Sequence, residues 1–269
     1  MQQTPREVIV AHLAFIAFWI ALVAVILIAA RWSSRARDFR ERMLAQWQSA
    51  LAIAVLAWLS VALSGRGLLN PYMLAIFCQA MIGLALARSI TGFEPLPVAR
   101  SVVQRERAWF VNVALMIVIA LVIVFPALII GGIGMSIGQR VFGESNFTRE
   151  AQNMLQYNVW QAFFALLCGA GIAEETVYRL VSVSLVWRWT GRAWLGIVVG
   201  ALLFGAYHLS PLSGMYLTFW KFPISQFLGS AFIGSVWGFL YVKRGYETAV
   251  LAHTFQNWIP LVLSVLLSR

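Results

Sequence analysis

Long apolar runs alternate with short polar stretches along the whole chain. The first run, Val8–Ala30, has about the length that crosses a bilayer. Trp47–Leu63 and Tyr72–Ala87 are shorter and are separated by the turn-forming Ser64-Gly65-Arg66-Gly67. Trp109–Gly138 is too long for one straight crossing. Pro126 and the run Gly131, Gly132, Gly134, Gly138 predict a kink followed by an irregular or closely packed end. Four more runs follow at Val159–Trp187, Ala193–Leu209, Phe222–Val242 and Thr248–Leu267. The pattern predicts an all-α fold, a polytopic transmembrane helix bundle of about eight spans. It forms a single membrane domain over residues 1–269, with a first group of four spans over 8–138 and a second over 159–267.

The connections are polar. Arg31–Arg42 holds five arginines and two acids and reads as a solvated loop. Arg88–Arg107 is a second basic loop, carrying Pro95 and Pro97. Gln139–Tyr157 reads as a short surface helix and contains the sequon Asn146-Phe147-Thr148. Only one basic residue, Arg6, offset by Glu7, precedes the first run, which is also longer than a signal-peptide core, so it reads as a retained anchor.

Composition narrows the class. The chain is 61% hydrophobic and 11% charged, with a mean hydropathy of +0.80. Charges this few do not cover a water-soluble domain of 269 residues. The net charge of +10 sits between the apolar runs, which points to topology and not to a nucleic-acid partner. Thirteen Lys and Arg fall in the loops after spans one, three, five and seven, and six fall on the opposite side. That asymmetry predicts both termini outside the cytoplasm. Cys78 and Cys168 lie inside apolar runs and read as small core residues, with neither disulfide nor metal-ligand spacing.

Three polar islands interrupt the last four runs. The first is Glu174-Glu175-Thr176-Val177-Tyr178-Arg179. Ionisable groups at this depth are costly, and they persist when they pair or act. Glu175 and Arg179 are one α-turn apart and pair, whereas Glu174 points about 100° away, on the side of Tyr178. The second is Phe204-Gly205-Ala206-Tyr207-His208, where the small residues admit a close neighbour beside His208. The third is His253-Thr254-Phe255-Gln256-Asn257, with His253 and Asn257 on one face as donors. Taken together the islands supply a base, imidazoles and an amide donor, which addition of water to a carbonyl requires. Glu174, His208 and His253 are equally a ligand set for a divalent metal such as Zn2+.

In their order and spacing the islands resemble the EExxxR, FxxxH and HxxxN/D signatures of the CPBP family, the CAAX-protease and bacteriocin-processing (ABI) intramembrane proteases. The resemblance covers about Val159 to Leu267 and assigns no signature to the first four spans. It implies cleavage of a peptide bond near the membrane by activated water. Carried over, Glu174 is the general base and His208 its partner in orienting water. His253 and Asn257 stabilise the oxyanion, while Glu175, Arg179, Tyr178 and Phe204 give support. The family implies either a Zn2+-type cofactor or none. It also implies a peptide or membrane-protein substrate beside membrane lipid, in the plasma membrane of a prokaryotic cell. Two departures are visible. Family members often carry Phe-Arg-Gly where this chain has Tyr178-Arg179-Leu180. Also, Glu174 and His208 lie about 21 and 24 Å along their helices from the nearest cytoplasmic arginine, but His253 only about 13 Å, so tilted or broken helices must absorb the difference. Two other functions stay open from sequence. One is a non-catalytic immunity or interaction protein of the same family. The other is a proton-coupled transporter with Glu174 and His208 as a relay, although the paired halves common in transporters are not found.

Overall fold

The computed structural model describes residues 6–65, 67, 70–142, 158–210, 212–213 and 224–267. Among them every regular element is helical. Helix α1 (Arg6–Ala29) is followed by α2 (Ser34–Leu44), α3 (Trp47–Leu63), α4 (Tyr72–Ala87) and the short α5 (Pro97–Val103). Then come α6 (Trp109–Val122), α7 (Val124–Phe142) and α8 (Val159–Leu166). Two π-helical segments continue from α8, π1 (Leu167–Glu174) and π2 (Thr176–Val183). The chain ends with α9 (Ser184–Thr190), α10 (Ala193–Tyr207), α11 (Ile224–Arg244) and α12 (Tyr246–Leu267).

Three helices are long and apolar enough to cross a membrane: Arg6–Ala29, the pair Trp109–Val141 taken as one, and Tyr246–Leu267. A fourth arises if α2 and α3, bent by 52°, are one span. By that measure the expected count of about eight is not reached among the described residues. The reason is local. Helices α3, α4 and α10 have the predicted positions but only 17, 16 and 15 residues, and the fifth predicted span is broken by π-turns. The start of the seventh, at Phe222, lies outside the described residues.

Arg31–Arg42 is a correction to the predicted loop: most of it is helix α2. The Ser33 side chain accepts a bond from the Ala36 amide at 3.4 Å and caps it, and its Arg, Glu, Met and Leu residues are good helix formers. Pro126 breaks the fourth run as predicted. It has no amide hydrogen and its ring crowds the carbonyl four residues back, which is Val122, where α6 stops. The predicted surface helix in Gln139–Tyr157, beyond Phe142, and the sequon at Asn146 fall outside the described residues.

Two packed groups meet at the broken segment. Helices α1 to α4 bury one cluster with π1 and π2, including Ile76, Leu84, Ile172 and Leu180. Helices α6, α7, α11 and α12 bury a second around Trp237. Large apolar side chains such as Phe18, Leu63, Val122 and Leu203 are exposed, while Glu175, Thr176, Arg179, Thr248 and His253 are buried. An apolar exterior around polar interior groups is the arrangement lipid requires. The absent glycine of the first motif is answered across the interface. Leu180 packs on Gly83 of α4, where an added Cβ would stand 2.8 Å from Leu180 Cγ.

Candidate active site

Glu174 and Glu175 sit at the junction of π1 and π2. Hydroxyl groups fix these wide turns. Ser182 Oγ donates to the Val177 carbonyl five residues back at 2.8 Å. Thr176 Oγ1 donates to the Ile172 carbonyl at 2.6 Å and lies 2.7 Å from the Tyr246 hydroxyl of α12. Gly171 lets π1 lie against α12, because a Cβ there would stand 3.2 Å from the Val250 carbonyl oxygen and press on the Thr254 hydroxyl. A π-turn closes on the fifth residue, so each step rises and rotates less than in an α-helix. This is the break that the unequal motif depths called for, and it brings the two glutamates level with His253.

Glu175 and Arg179 are completely buried and paired, Nη1 lying 3.2 Å from Oε1. Arg179 Nη2 donates to the Gly234 carbonyl of α11 at 3.1 Å, and its guanidinium lies 4.6 Å from the Phe204 ring centre. The support roles expected of Glu175, Arg179 and Phe204 are thus physically connected. Glu175 has a further partner that sequence did not show: its Oε1 is 2.8 Å from His253 Nδ1. A carboxylate accepts, so Nδ1 is the donor and Nε2 is the ring nitrogen left facing Glu174. That Nε2 stands 3.8 Å from Glu174 Oε2. The ring is held by Trp237, stacked at 5.6 Å, and by the edge of Phe204 at 5.5 Å.

His208 caps the end of α10, buried, with Nδ1 2.9 Å from the Phe204 carbonyl and its ring 4.8 Å from the Phe204 ring. It shares Phe204 with His253 and, among the contacts of the described residues, makes none with Glu174. Asn257 turns back on its own helix, Nδ2 donating to the His253 carbonyl at 3.3 Å. The structure therefore joins Glu174, Glu175, Arg179, Phe204 and His253 directly, with His208 beside them and Asn257 one turn on.

Glu174 is the partly exposed member, its side chain 18% accessible against 0% for Glu175. It faces a cavity of about 370 Å³. Tyr178 and Tyr207 line it, and His12, Phe15, Ser64, Asn70 and Tyr72 form another part of its wall. That wall comes from α1, α3 and α4, which carry no motif, and no local spacing announces it. Among the described residues no three His, Cys, Asp or Glu side chains converge as metal ligands. Glu174, His208 and His253 as arranged do not fit a shared ion.

Residues 156–259 match the family model of the type II CAAX prenyl endopeptidases, Rce1-like. No curated protein and no solved structure matches the chain. The match spans all three polar islands, and over residues 156–259 the chain is similar to the Rce1-like type II CAAX prenyl endopeptidases of the CPBP family.

Proposed function

We propose that this protein is an intramembrane endopeptidase that cleaves a peptide bond of a CAAX-type or peptide-precursor substrate at the membrane, with Glu174 as general base. One observation carries the reading: the accessible Glu174 carboxylate and the His253 Nε2 lone pair face each other 3.8 Å apart at the edge of a cavity enclosed by apolar helices. One water oxygen about 2.8 Å from both atoms fits there at ordinary hydrogen-bond lengths. Glu174 takes a proton from that water as its oxygen adds to the substrate carbonyl carbon. His208, whose Nδ1–H is spent on Phe204, offers a second Nε2 acceptor for orienting water. Collapse of the tetrahedral intermediate breaks the C–N bond, and the proton passes from Glu174 to the departing nitrogen. The products are one carboxylic acid and one amine per water consumed. The loop charges support a topology with both termini outside the cytoplasm.

The test is peptide release by the purified protein in lipid nanodiscs from a farnesylated peptide ending in a CAAX tetrapeptide, read by mass spectrometry. The wild type releases the terminal tripeptide, and Glu174→Gln and His208→Ala each abolish release while keeping the unfolding midpoint. Full activity in Glu174→Gln refutes the mechanism.

A further inference from the structure

His253 and the two glutamates come from different helices, so their meeting depends on how α12 is set against π1 and π2. Tyr246 is the first residue of α12 and stands seven residues before His253. Seven residues fall about 20° short of two α-turns and rise about 10.5 Å, so the two side chains leave the same face. That face meets the π segments at three places. The Tyr246 hydroxyl lies 2.7 Å from Thr176 Oγ1 and 3.2 Å from the Ile172 carbonyl oxygen. Gly171 packs against Val250 and Thr254, and His253 Nδ1 reaches Glu175 at 2.8 Å. Thr176 donates its own proton to the Ile172 carbonyl at 2.6 Å, so the Tyr246 O–H is the donor toward both oxygens. These bonds end on a π-helical residue two positions before Glu174. Tyr246 is buried and is held from its other end as well. Its amide donates to the Pro95 carbonyl at 2.8 Å, and the neighbouring Glu247 Oε1 accepts from the Ala99 amide at 2.8 Å. An amide fixed on the 95–99 segment and a hydroxyl fixed on the π segments leave α12 one axial position.

We infer that Tyr246 is a positioning residue: its hydroxyl sets the register of α12 against the π segments and so holds His253 Nδ1 on Glu175 and Nε2 beside Glu174. Its effect on turnover rests on the hydrolase reading above; its effect on the placement of the ring does not. Tyr246 is not among the residues that line the cavity and touches no reacting atom. It acts through α12, and a shift of about 1 Å at a reacting group costs on the order of 10²-fold in rate. A second buried hydroxyl pair of the same chemistry lies away from the site, Tyr241 of α11 with Ser184 of α9 at 2.6 Å. That pair ties helices together without setting His253, and it separates positioning from cohesion.

Tyr246→Phe keeps the buried ring and removes the hydroxyl, and Tyr241→Phe does the same at the remote pair. Both are compared with wild type in nanodiscs by release from the farnesylated CAAX peptide and by thermal unfolding. Labelling of His253 by diethyl pyrocarbonate, located by peptide mass mapping, reports the ring without turnover. The expected result for Tyr246→Phe is a fall in kcat of about 10–10²-fold with KM within about twofold, and faster labelling of His253. Tyr241→Phe lowers the unfolding midpoint by a comparable amount but moves neither kcat nor labelling. Thr176→Val behaves as Tyr246→Phe does, and Thr176→Ser, which keeps the hydroxyl, restores wild-type kcat. An active wild type beside a Tyr246→Phe variant with unchanged kcat, or equal losses in the two tyrosine variants, overturns the inference and leaves the hydrolase standing. A wild type that releases no peptide, with labelling faster in Tyr246→Phe alone, overturns the hydrolase and leaves the placement of His253 standing. No release and unchanged labelling overturn both. Should Tyr246→Phe fail to fold, Thr176→Val against Thr176→Ser decides.

Discussion

Arg179→Met isolates the buried ion pair beneath the site. The guanidinium is fully buried and holds Glu175, the Gly234 carbonyl and the face of Phe204. Methionine fills much of the same volume but leaves Glu175 charged in an apolar interior. Removing one partner of such a pair costs about 3–5 kcal/mol, a figure that already contains the lost hydrogen bond and ring contact. For a chain of this size that lowers the unfolding midpoint by on the order of 10 °C. Adding Glu175→Leu removes the stranded charge and returns most of the loss, since apolar replacements of a whole buried pair are often neutral or better. The recovery is incomplete because His253 Nδ1–H loses its acceptor, at about 1–3 kcal/mol. The double variant should therefore sit about 1–3 kcal/mol below wild type, folded but with strongly reduced turnover, because His253 Nδ1 has lost the acceptor that fixes its proton. Denaturant titration in detergent followed by tryptophan fluorescence measures the stabilities, and peptide release in the folded fraction measures turnover. A single variant within about 1 kcal/mol of wild type, or a double variant less stable than the single, refutes the account of the pair.

Three further outcomes follow from the same geometry. Glu174→Gln lowers kcat by about 10²–10⁴-fold with little change in unfolding midpoint, whereas Glu175→Gln lowers both; an inactive Glu175→Gln beside a fully active Glu174→Gln would reverse the assigned roles. Gly171→Ala drives a methyl group against the Val250 carbonyl and the Thr254 hydroxyl, costing about 1–3 kcal/mol and reducing turnover as π1 is pushed from α12; calorimetry alongside peptide release checks both. Gly83→Ala costs a similar amount through Leu180, and the cost shrinks in a Leu180→Ala background; a double-mutant cycle with no coupling between the two positions would remove that contact from the explanation.

What the sequence made legible were contacts within one helix or one run. Trp47–Leu63 and Tyr72–Ala87 are α3 and α4 with the predicted bounds, because polar and glycine-rich residues flank them on both sides. The Glu175–Arg179 pair follows from spacing alone. Helix α2 was hidden by its charge, since a polar run has no periodic apolar face and only the Ser33 cap marks its start. The π-turns were hidden for the opposite reason: where nearly every residue is apolar, a change in residues per turn leaves no trace in the hydrophobic pattern. Tyr72 and His12 could not be found by motif. They reach the cavity only through the packing of α1 and α4 beside π1 and π2, a tertiary pairing with no local signature.

The adjacent glutamates show why that packing matters to chemistry. On an ideal α-helix they diverge by about 100°, which suggested one carboxylate for support and one, separately, for catalysis. Glu175 is buried and Glu174 partly accessible, yet one imidazole lies beside both, Nδ1 on Glu175 and Nε2 toward Glu174. The support pair therefore sets the orientation and tautomer of the ring that meets the water. Arg179, Glu175 and His253 thus form one chain of contacts that ends beside Glu174. Glu175→Gln should accordingly reduce turnover beyond what its loss of stability explains, with the excess appearing in kcat of the folded fraction and not in KM. Equal losses in folded fraction and total activity would show that Glu175 does no more than hold the helices together.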